Sequence, residues 1–95
     1  METHSAEARV LGKYGLHARS LIALERLARA FDKRCELQIW FDGRSADPRD
    51  ALRVRETLGP IEYDQVVRIE GSGPDAESAV NKLKAFIEDR CGELE

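Results

Sequence analysis

A histidine close to an arginine, at the predicted start of a helix, is the feature of this sequence best suited to chemistry. His17 and Arg19 lie between a strand-like segment ending near Gly12 and an apolar segment with helical spacing, Leu21 to Phe31. The first N–H groups of a helix have no partner inside it and lie at the positive end of its dipole. Such a site favours a neutral, nucleophilic imidazole and then stabilises an anion bound to it. Because Arg19 can add a bidentate contact to phosphate-type oxygens, the pair predicts a histidine that carries a phosphoryl group.

Spacing alone leaves a second interpretation open, in which His17 is only a polar residue at a helix start. The surrounding residues favour the first interpretation. Gly15-Leu16-His17-Ala18-Arg19 resembles the active-site segment of the HPr family, the small phosphocarriers of the bacterial phosphoenolpyruvate-dependent sugar phosphotransferase system. The similarity runs from Glu7 to near Ile87 and includes, in the family's order, the Asp42-Gly43 turn, the Leu58-Gly59 helix end, the Val66-Val67-Arg68-Ile69 strand and a final amphipathic helix.

The resemblance implies that His17 accepts a phosphoryl group at Nδ1 from phosphorylated enzyme I and passes it to an enzyme IIA-type protein or domain. It also implies that Ala18, Arg19 and Ser20 offer backbone N–H groups to the phosphate, with Arg19 adding its side chain. The protein would then be a transfer intermediate rather than a complete enzyme, with no metal or organic cofactor of its own. Two alternatives stay open: a regulatory paralogue of the nitrogen-related type, which signals to effector proteins, and a non-catalytic binding module with the same fold.

The resemblance places exposed apolar and basic residues around the histidine and so implies a surface for protein partners. In the HPr family, residues at such places dock against acidic, apolar grooves of enzyme I and the enzyme IIA domains. Arginines near one site also steer acidic partners towards it. The alternative is that these are ordinary solvated helix faces. The predicted partner-binding residues are Ile22, Arg26, Arg29, Ala51, Leu52 and Arg53.

Two positions depart from the family pattern that the sequence otherwise resembles. Ser20 stands where the family has a proline after the arginine. Proline stiffens the first helical turn, so we expect Ser20→Pro to be tolerated. Asp50 stands where many members carry a regulatory serine that a kinase phosphorylates. Aspartate is as good an N-cap as serine, but at this regulatory position it supplies a permanent negative charge in place of a switchable one.

Length and charge limit the function further. Ninety-five residues with a formal net charge of -3 predict one domain over residues 7–92, a flexible tail at residues 1–6, and no nucleic-acid partner. No apolar run approaches the roughly 20 residues that span a bilayer, and the first residues lack a secretion signal. We therefore expect a cytoplasmic monomer without direct membrane binding. Cys35 and Cys91 have no metal-binding spacing and are expected to be thiols.

The hydrophobic pattern predicts an α+β fold with the order βαββαβα. Four strands would form one antiparallel sheet with three helices on one face, leaving the other face in water, which is an open-faced β-sandwich. A helix is predicted from Ala51 to Leu58, with Asp50 as its N-cap. The last helix is predicted to begin with Pro74 at its first position and to end just before Gly92.

Trp40 falls on the predicted solvated face of the sheet, which is unusual for so large an apolar side chain. Strict alternation along the strand places it with Gln38, Val66, Arg68 and Glu70. One interpretation is cross-strand packing on an exposed sheet. The other is a surface for self-association or for a partner.

Overall fold

The computed structural model describes residues 3–31 and 35–92. Its strands and helices follow the predicted order. They are β1 (Thr3–Arg9), α1 (Ala18–Arg29), β2 (Glu36–Phe41), β3 (Arg44–Ala46), α2 (Ala51–Leu58), β4 (Val66–Ser72) and α3 (Ala76–Glu88), with a short 3-10 turn at Arg90–Gly92.

The four strands form one antiparallel sheet in the order β1-β4-β2-β3. Alternate side chains along each strand face in opposite directions, and here only one set is buried. The buried set includes Ala8, Leu37, Ile39, Val67 and Ile69, which the helices cover. α3 packs on β1 and β4, α2 packs on β3 and β2, and α1 packs against the other two helices. The predicted open-faced sandwich is confirmed.

Short-range signals set the bounds of α2 and of the hairpin before it. The hairpin turn uses Asp42 and Gly43, both at positive φ (54° and 78°), as tight two-residue turns require. Asp50 begins α2, because its carboxylate accepts the backbone N–H of Arg53 at 3.0 Å. Gly59, at φ 71°, ends the helix. The predicted range Ala51–Leu58 is therefore confirmed.

Trp40 packs against its cross-strand neighbour on the open face of the sheet. It pairs with Arg68 of β4 in the strand register, and the guanidinium carbon of Arg68 lies 5.1 Å from the centroid of the indole ring. This is the geometry of a cation–π contact, and it leaves the ring half-buried. Cross-strand packing is confirmed, while a partner surface at Trp40 stays a prediction.

The predicted flexible tail is wrong for residues 3–6. These residues belong to β1 and pair with Ile69 to Ser72 of β4, so the backbone hydrogen bonds of the sheet extend four residues further than predicted. His4 is half-buried in this strand, and its Nδ1 lies 3.9 Å from a carboxylate oxygen of Glu77 on α3. Residues 1 and 2 of the predicted tail lie outside the described residues.

Both predicted ends of the last helix are wrong. α3 begins at Ala76, and Pro74 lies in the turn before it, closed by a hydrogen bond from the Ala76 N–H to the Gly73 carbonyl at 3.1 Å. Proline favours the second position of such a turn as well as the first position of a helix. The helix ends at Glu88, because Arg90 and Cys91 take up left-handed conformations at φ 57° and 51°.

Neither predicted thiol forms a disulfide bond in the part of the chain that the structure describes. Cys91 is buried and Cys35 is half-buried. Burial raises the pKa of the Cys35 thiol, although the nearby Arg49 guanidinium acts in the opposite direction. Arg49 itself binds Asp47 at 2.9 Å and donates to the Cys35 carbonyl at 3.1 Å, so it ties the start of β2 to the loop before α2.

Candidate functional site

His17 is the N-cap of α1, with an extended backbone at φ -98° and ψ -178°. Its Nδ1 accepts the backbone N–H of Arg19 at 3.3 Å, and its side chain also accepts the backbone N–H of Ser20. An imidazole nitrogen that accepts a hydrogen bond carries no proton, so the geometry is that of the Nε2–H tautomer. The backbone N–H groups of Arg19 and Ser20, which have no partner within the helix, therefore donate to Nδ1, the nitrogen that carries the lone pair.

Ser20 completes a reciprocal capping box with the histidine. Its Oγ accepts the His17 backbone N–H at 2.9 Å and donates to the His17 carbonyl at 3.0 Å. The side chain is 1% exposed, so both hydrogen bonds are shielded from water. In a capping box, each of the two residues satisfies backbone groups that the helix leaves without partners. Ser20 thus fixes the backbone of His17.

The loop before His17 is held against the loop that follows α2. Gly15 has φ 70°, and Leu16 donates its backbone N–H to the Ile61 carbonyl at 2.8 Å. A Cβ atom at Gly15 would lie 2.2 Å from that same carbonyl oxygen and 2.8 Å from the Glu62 Cα. Only glycine fits both the left-handed conformation and the close approach of backbone to backbone.

The two loops and the start of α1 enclose an open cavity, the His17 cavity, of about 650 Å³. The Tyr14 ring meets the imidazole of His17 edge to face, with 6.4 Å between centroids and an interplanar angle of 80°. The cavity is lined by Tyr14, Leu16, His17, Ala18, Arg55, Gly59, Pro60, Ile61 and Glu62.

A second hollow, the apolar groove, runs between α1 and α2 beside this cavity. It has a volume of about 260 Å³ and is lined by Ala18, Leu21, Ile22, Glu25, Ala51, Leu52 and Arg55. The three apolar residues predicted to bind partners, Ile22, Ala51 and Leu52, therefore come together in it. Ile22 is 45% and Leu52 is 66% exposed, which is unusual for side chains of their size.

The three predicted basic residues lie outside both hollows, although all are exposed. Arg26 follows Ile22 by four residues and so shares its face of α1. Arg29 donates its Nε–H to the Arg49 carbonyl at 3.2 Å. Arg53 of α2 does not line the cavity or the groove. Their role in binding partners stays a prediction.

Arg55 and Glu25 are among the site residues that were not predicted from the sequence. Arg55 lines both the cavity and the groove. Glu25 of α1 accepts the backbone N–H of Ala51 at 2.8 Å, so it caps α2 from the neighbouring helix. A sequence signal exists for Arg55 only, because it follows Leu52 by three residues and Ala51 by four, which places the three on one face of a helix.

The described residues hold no group of three or more His, Cys, Asp or Glu side chains that could bind a metal ion. In that same part of the chain, every helix is too short or too polar to cross a membrane.

Comparison with known proteins agrees with this geometry. The model of a protein family described as the phosphorylation site of the HPr component of the phosphotransferase system matches residues 4–89. The chain belongs to the HPr family. This membership gives it, in general terms, the role of a phosphocarrier in the phosphotransferase system.

A curated relative, the phosphocarrier protein HPr of Cupriavidus necator strain H16, is 33% identical over 86 residues, covering 90% of this chain and 92% of the relative. Two crystal structures share the fold. HPr of Bacillus anthracis is 24% identical with a TM-score of 0.80, covering 90% of this chain and 98% of that one. HPr-C-His of Thermoanaerobacter tengcongensis is 24% identical with a TM-score of 0.81, covering all of both chains.

Proposed function

We propose that His17 accepts a phosphoryl group at Nδ1 from phosphorylated enzyme I and passes it to an enzyme IIA-type protein or domain. The observation that supports this most directly is the hydrogen bond from the Arg19 backbone N–H to Nδ1, at a helix start that opens into a cavity. In this proposal the protein acts as a cytoplasmic monomer. It needs no cofactor of its own, because the donor supplies the phosphoryl group already activated.

The chemistry follows from the tautomer. The Nδ1 lone pair attacks phosphorus on the donor's phosphohistidine, the donor's P–N bond breaks, and its electron pair returns to the donor's imidazole. The backbone N–H groups of Arg19 and Ser20, which first bind Nδ1, then bind phosphoryl oxygens together with that of Ala18. These donors lie at the positive end of α1 and suit an anion. The exposed Arg19 guanidinium adds a charge-assisted contact from the solvent side.

Partners dock on the apolar groove in this proposal. Ile22, Ala51 and Leu52 offer the apolar contact. Arg26, Arg29 and Arg53 add exposed positive charge on the same two helices. The exposed area of the apolar residues and the position of the groove beside His17 support this assignment. Such an arrangement fits a partner with an acidic, apolar groove, because opposite charges steer the encounter while apolar burial holds the complex.

Asp50 is proposed to remove kinase control. Its carboxylate already caps α2, and it has no hydroxyl that a serine kinase could convert to a phosphate ester. A kinase that modifies the corresponding serine should therefore leave α2 of this protein unlabelled, whereas the Asp50→Ser variant would offer it a hydroxyl. Labelling of α2 in the wild-type protein would contradict this.

The test of the proposed function is phosphorylation with phosphoenolpyruvate, Mg²⁺ and enzyme I. We expect one phosphoryl group per chain, on a histidine, released in acid and stable in base. The chain has two histidines, so His4→Ala is the matched control for His17→Ala. His4→Ala should be labelled like the wild type, and folded His17→Ala should take up none. Labelling that persists in His17→Ala would refute the assignment.

A further inference from the structure

The His17 cavity contains an arginine side chain from α2. Arg55 lines it together with His17 and Ala18. In the part of the chain that the structure describes, its guanidinium forms no hydrogen bond or ion pair with another residue. Other arginines are engaged within the protein, such as Arg9 with Asp64 at 3.0 Å and Arg49 with Asp47 at 2.9 Å. Arg55 therefore keeps all its donors available for a ligand.

Backbone hydrogen bonds on the loop after α2 connect the backbone of Arg55 to that of His17. Its carbonyl accepts the N–H of Gly59 at 3.1 Å, which ends α2. Two residues later the carbonyl of Ile61 accepts the N–H of Leu16, next to His17 in the chain. Buried Val54 and Leu58 hold the opposite side of α2 in the core. The backbones that carry the arginine and the histidine are thus joined through one short loop.

We propose that Arg55 is a second guanidinium that contacts the phosphoryl group carried by His17, in the cavity that both residues line. This deepens the proposed function and rests on it. A phosphoryl group carries about two negative charges at neutral pH, and the amides at the start of α1 cover only one side of it. The guanidinium of Arg55, which lines the same cavity, can bind oxygens that those amides leave to water.

Glu62 is the one acidic side chain among the residues lining the cavity. It is not within ion-pair distance of Arg55, which forms no ion pair among the described residues. A phosphoryl dianion outcompetes a single exposed carboxylate for a guanidinium, since its charge is larger and its oxygens match the planar fork. Glu62 would also repel the bound group and so favour its departure to the acceptor.

In the transfer step, the P–Nδ1 bond breaks as the bond from phosphorus to the acceptor's histidine forms, and the electron pair returns to Nδ1 of His17. Charge spreads over the oxygens that are neither attacking nor leaving. Arg55 stabilises that charge in both the bound state and the transition state, so its loss should alter the carried group as well as the transfer rate.

The experiment compares wild type, Arg55→Met, Arg55→Lys and the control Arg53→Met, each phosphorylated by enzyme I and isolated. Arg53 lies on the same helix, two residues away and therefore on the opposite face. The ³¹P NMR signal is followed through a pH titration. A nearby cation favours the dianion, so Arg55→Met should raise the pKa of the phosphoryl group, Arg55→Lys should raise it less, and Arg53→Met should leave it unchanged. Transfer to the acceptor should slow about threefold to tenfold in Arg55→Met.

The outcomes distinguish a failure of the role proposed for Arg55 from a failure of the function proposed for His17. If Arg55→Met and Arg53→Met titrate like the wild type, Arg55 does not contact the phosphoryl group, while the role of His17 stands. A changed KM for enzyme I with an unchanged titration would overturn the proposal and make Arg55 a docking residue. If the wild type takes up no phosphoryl group on His17, the proposed function fails, and this inference fails with it. Circular dichroism checks that each variant is folded.

Discussion

Gly15→Ala is the substitution for which the structure makes the sharpest prediction. Any side chain there must adopt φ 70°, which disfavours L-residues by about 1–2 kcal/mol. Its Cβ would also lie 2.2 Å from the Ile61 carbonyl oxygen, and backbone cannot move aside as a flexible side chain can. The loop must therefore separate from Ile61, and the Leu16 N–H loses its acceptor. Leu16 is buried, and an unsatisfied buried donor costs about 1–3 kcal/mol.

The two contributions together predict a loss of about 2–5 kcal/mol in the free energy of unfolding. Gly43→Ala is the matched control, because Gly43 has φ 78° but a Cβ atom added there would meet nothing within 4 Å. Gly43→Ala should lose only the conformational part, about 1–2 kcal/mol. The difference of at least about 1 kcal/mol corresponds to about 4–8 °C in melting temperature for a domain of this size.

Urea denaturation followed by circular dichroism measures both free energies. At a temperature where both variants are folded, Gly15→Ala should also take up phosphate from enzyme I more slowly, because Leu16 adjoins His17. Equal losses of stability in the two variants would show that the contact between Gly15 and Ile61 contributes nothing beyond backbone conformation. Such a result would refute the close approach of the two loops as a source of stability.

Substitutions at four further positions test separate features of the site and the fold. Arg19→Lys keeps the charge but loses the planar fork, a contact worth about 1.5–3 kcal/mol, so transfer should slow about tenfold to a hundredfold; an unchanged rate would show that the side chain does not contact phosphate. Ser20→Ala removes both Oγ hydrogen bonds at the start of α1 and leaves the His17 N–H without its acceptor, so it should lower the free energy of unfolding in urea by about 1–3 kcal/mol. Asp50→Ala should lower it by about 1 kcal/mol, whereas Asp50→Ser should melt like the wild type. The hydrogen bond from Lys84 lowers the pKa of Glu88. The charged Glu88 carboxylate therefore stabilises the folded protein at neutral pH, and this stabilisation is lost as the pH falls through the lowered pKa. Glu88→Gln should therefore be less stable by up to about 0.5 kcal/mol at neutral pH, with a difference that disappears in acid; a difference that persists there would exclude the charge as its cause.

Elements with strong local signals were predictable from the sequence. α2 has an N-cap at Asp50 and a glycine just past its end, and both act within one turn of the residues that they affect. The Asp42-Gly43 turn requires positive φ at two adjacent positions, and few residue pairs accept that. His17 belongs to the same class, because its place at a helix start follows from the apolar spacing that begins at Leu21.

Errors arose where a residue's role depends on distant parts of the chain. Residues 3–6 have no strong strand signal, and they are ordered because β4 is long enough to pair with them. Pro74 suits either the first turn of a helix or the turn before it, so its type does not decide where α3 begins. Cys91 at positive φ has no signature in the sequence at all.

Ser20 changes the expectation for the family's proline. Proline at this position would keep the helix, since the first N–H groups have no partner within it. It would, however, remove the buried hydroxyl that holds both backbone groups of His17 and the N–H that binds the imidazole. The structure thus shows a second way to stiffen this turn, through hydrogen bonds in place of a ring. Ser20→Pro exchanges the hydrogen bonds for the ring, so the expectation that it is tolerated changes to an expected loss of stability.

The packing of α1 against α2 makes a single functional surface from residues that are far apart in sequence. Ala18 and Arg55 line both the His17 cavity and the apolar groove, so a partner seated on the groove would also cover the guanidinium. Covering it removes water, and the attraction between Arg55 and a phosphoryl oxygen grows as the local dielectric constant falls. Because the contact would strengthen when donor or acceptor is bound, Arg55 would stabilise the transferring group more than the group that waits in the free protein.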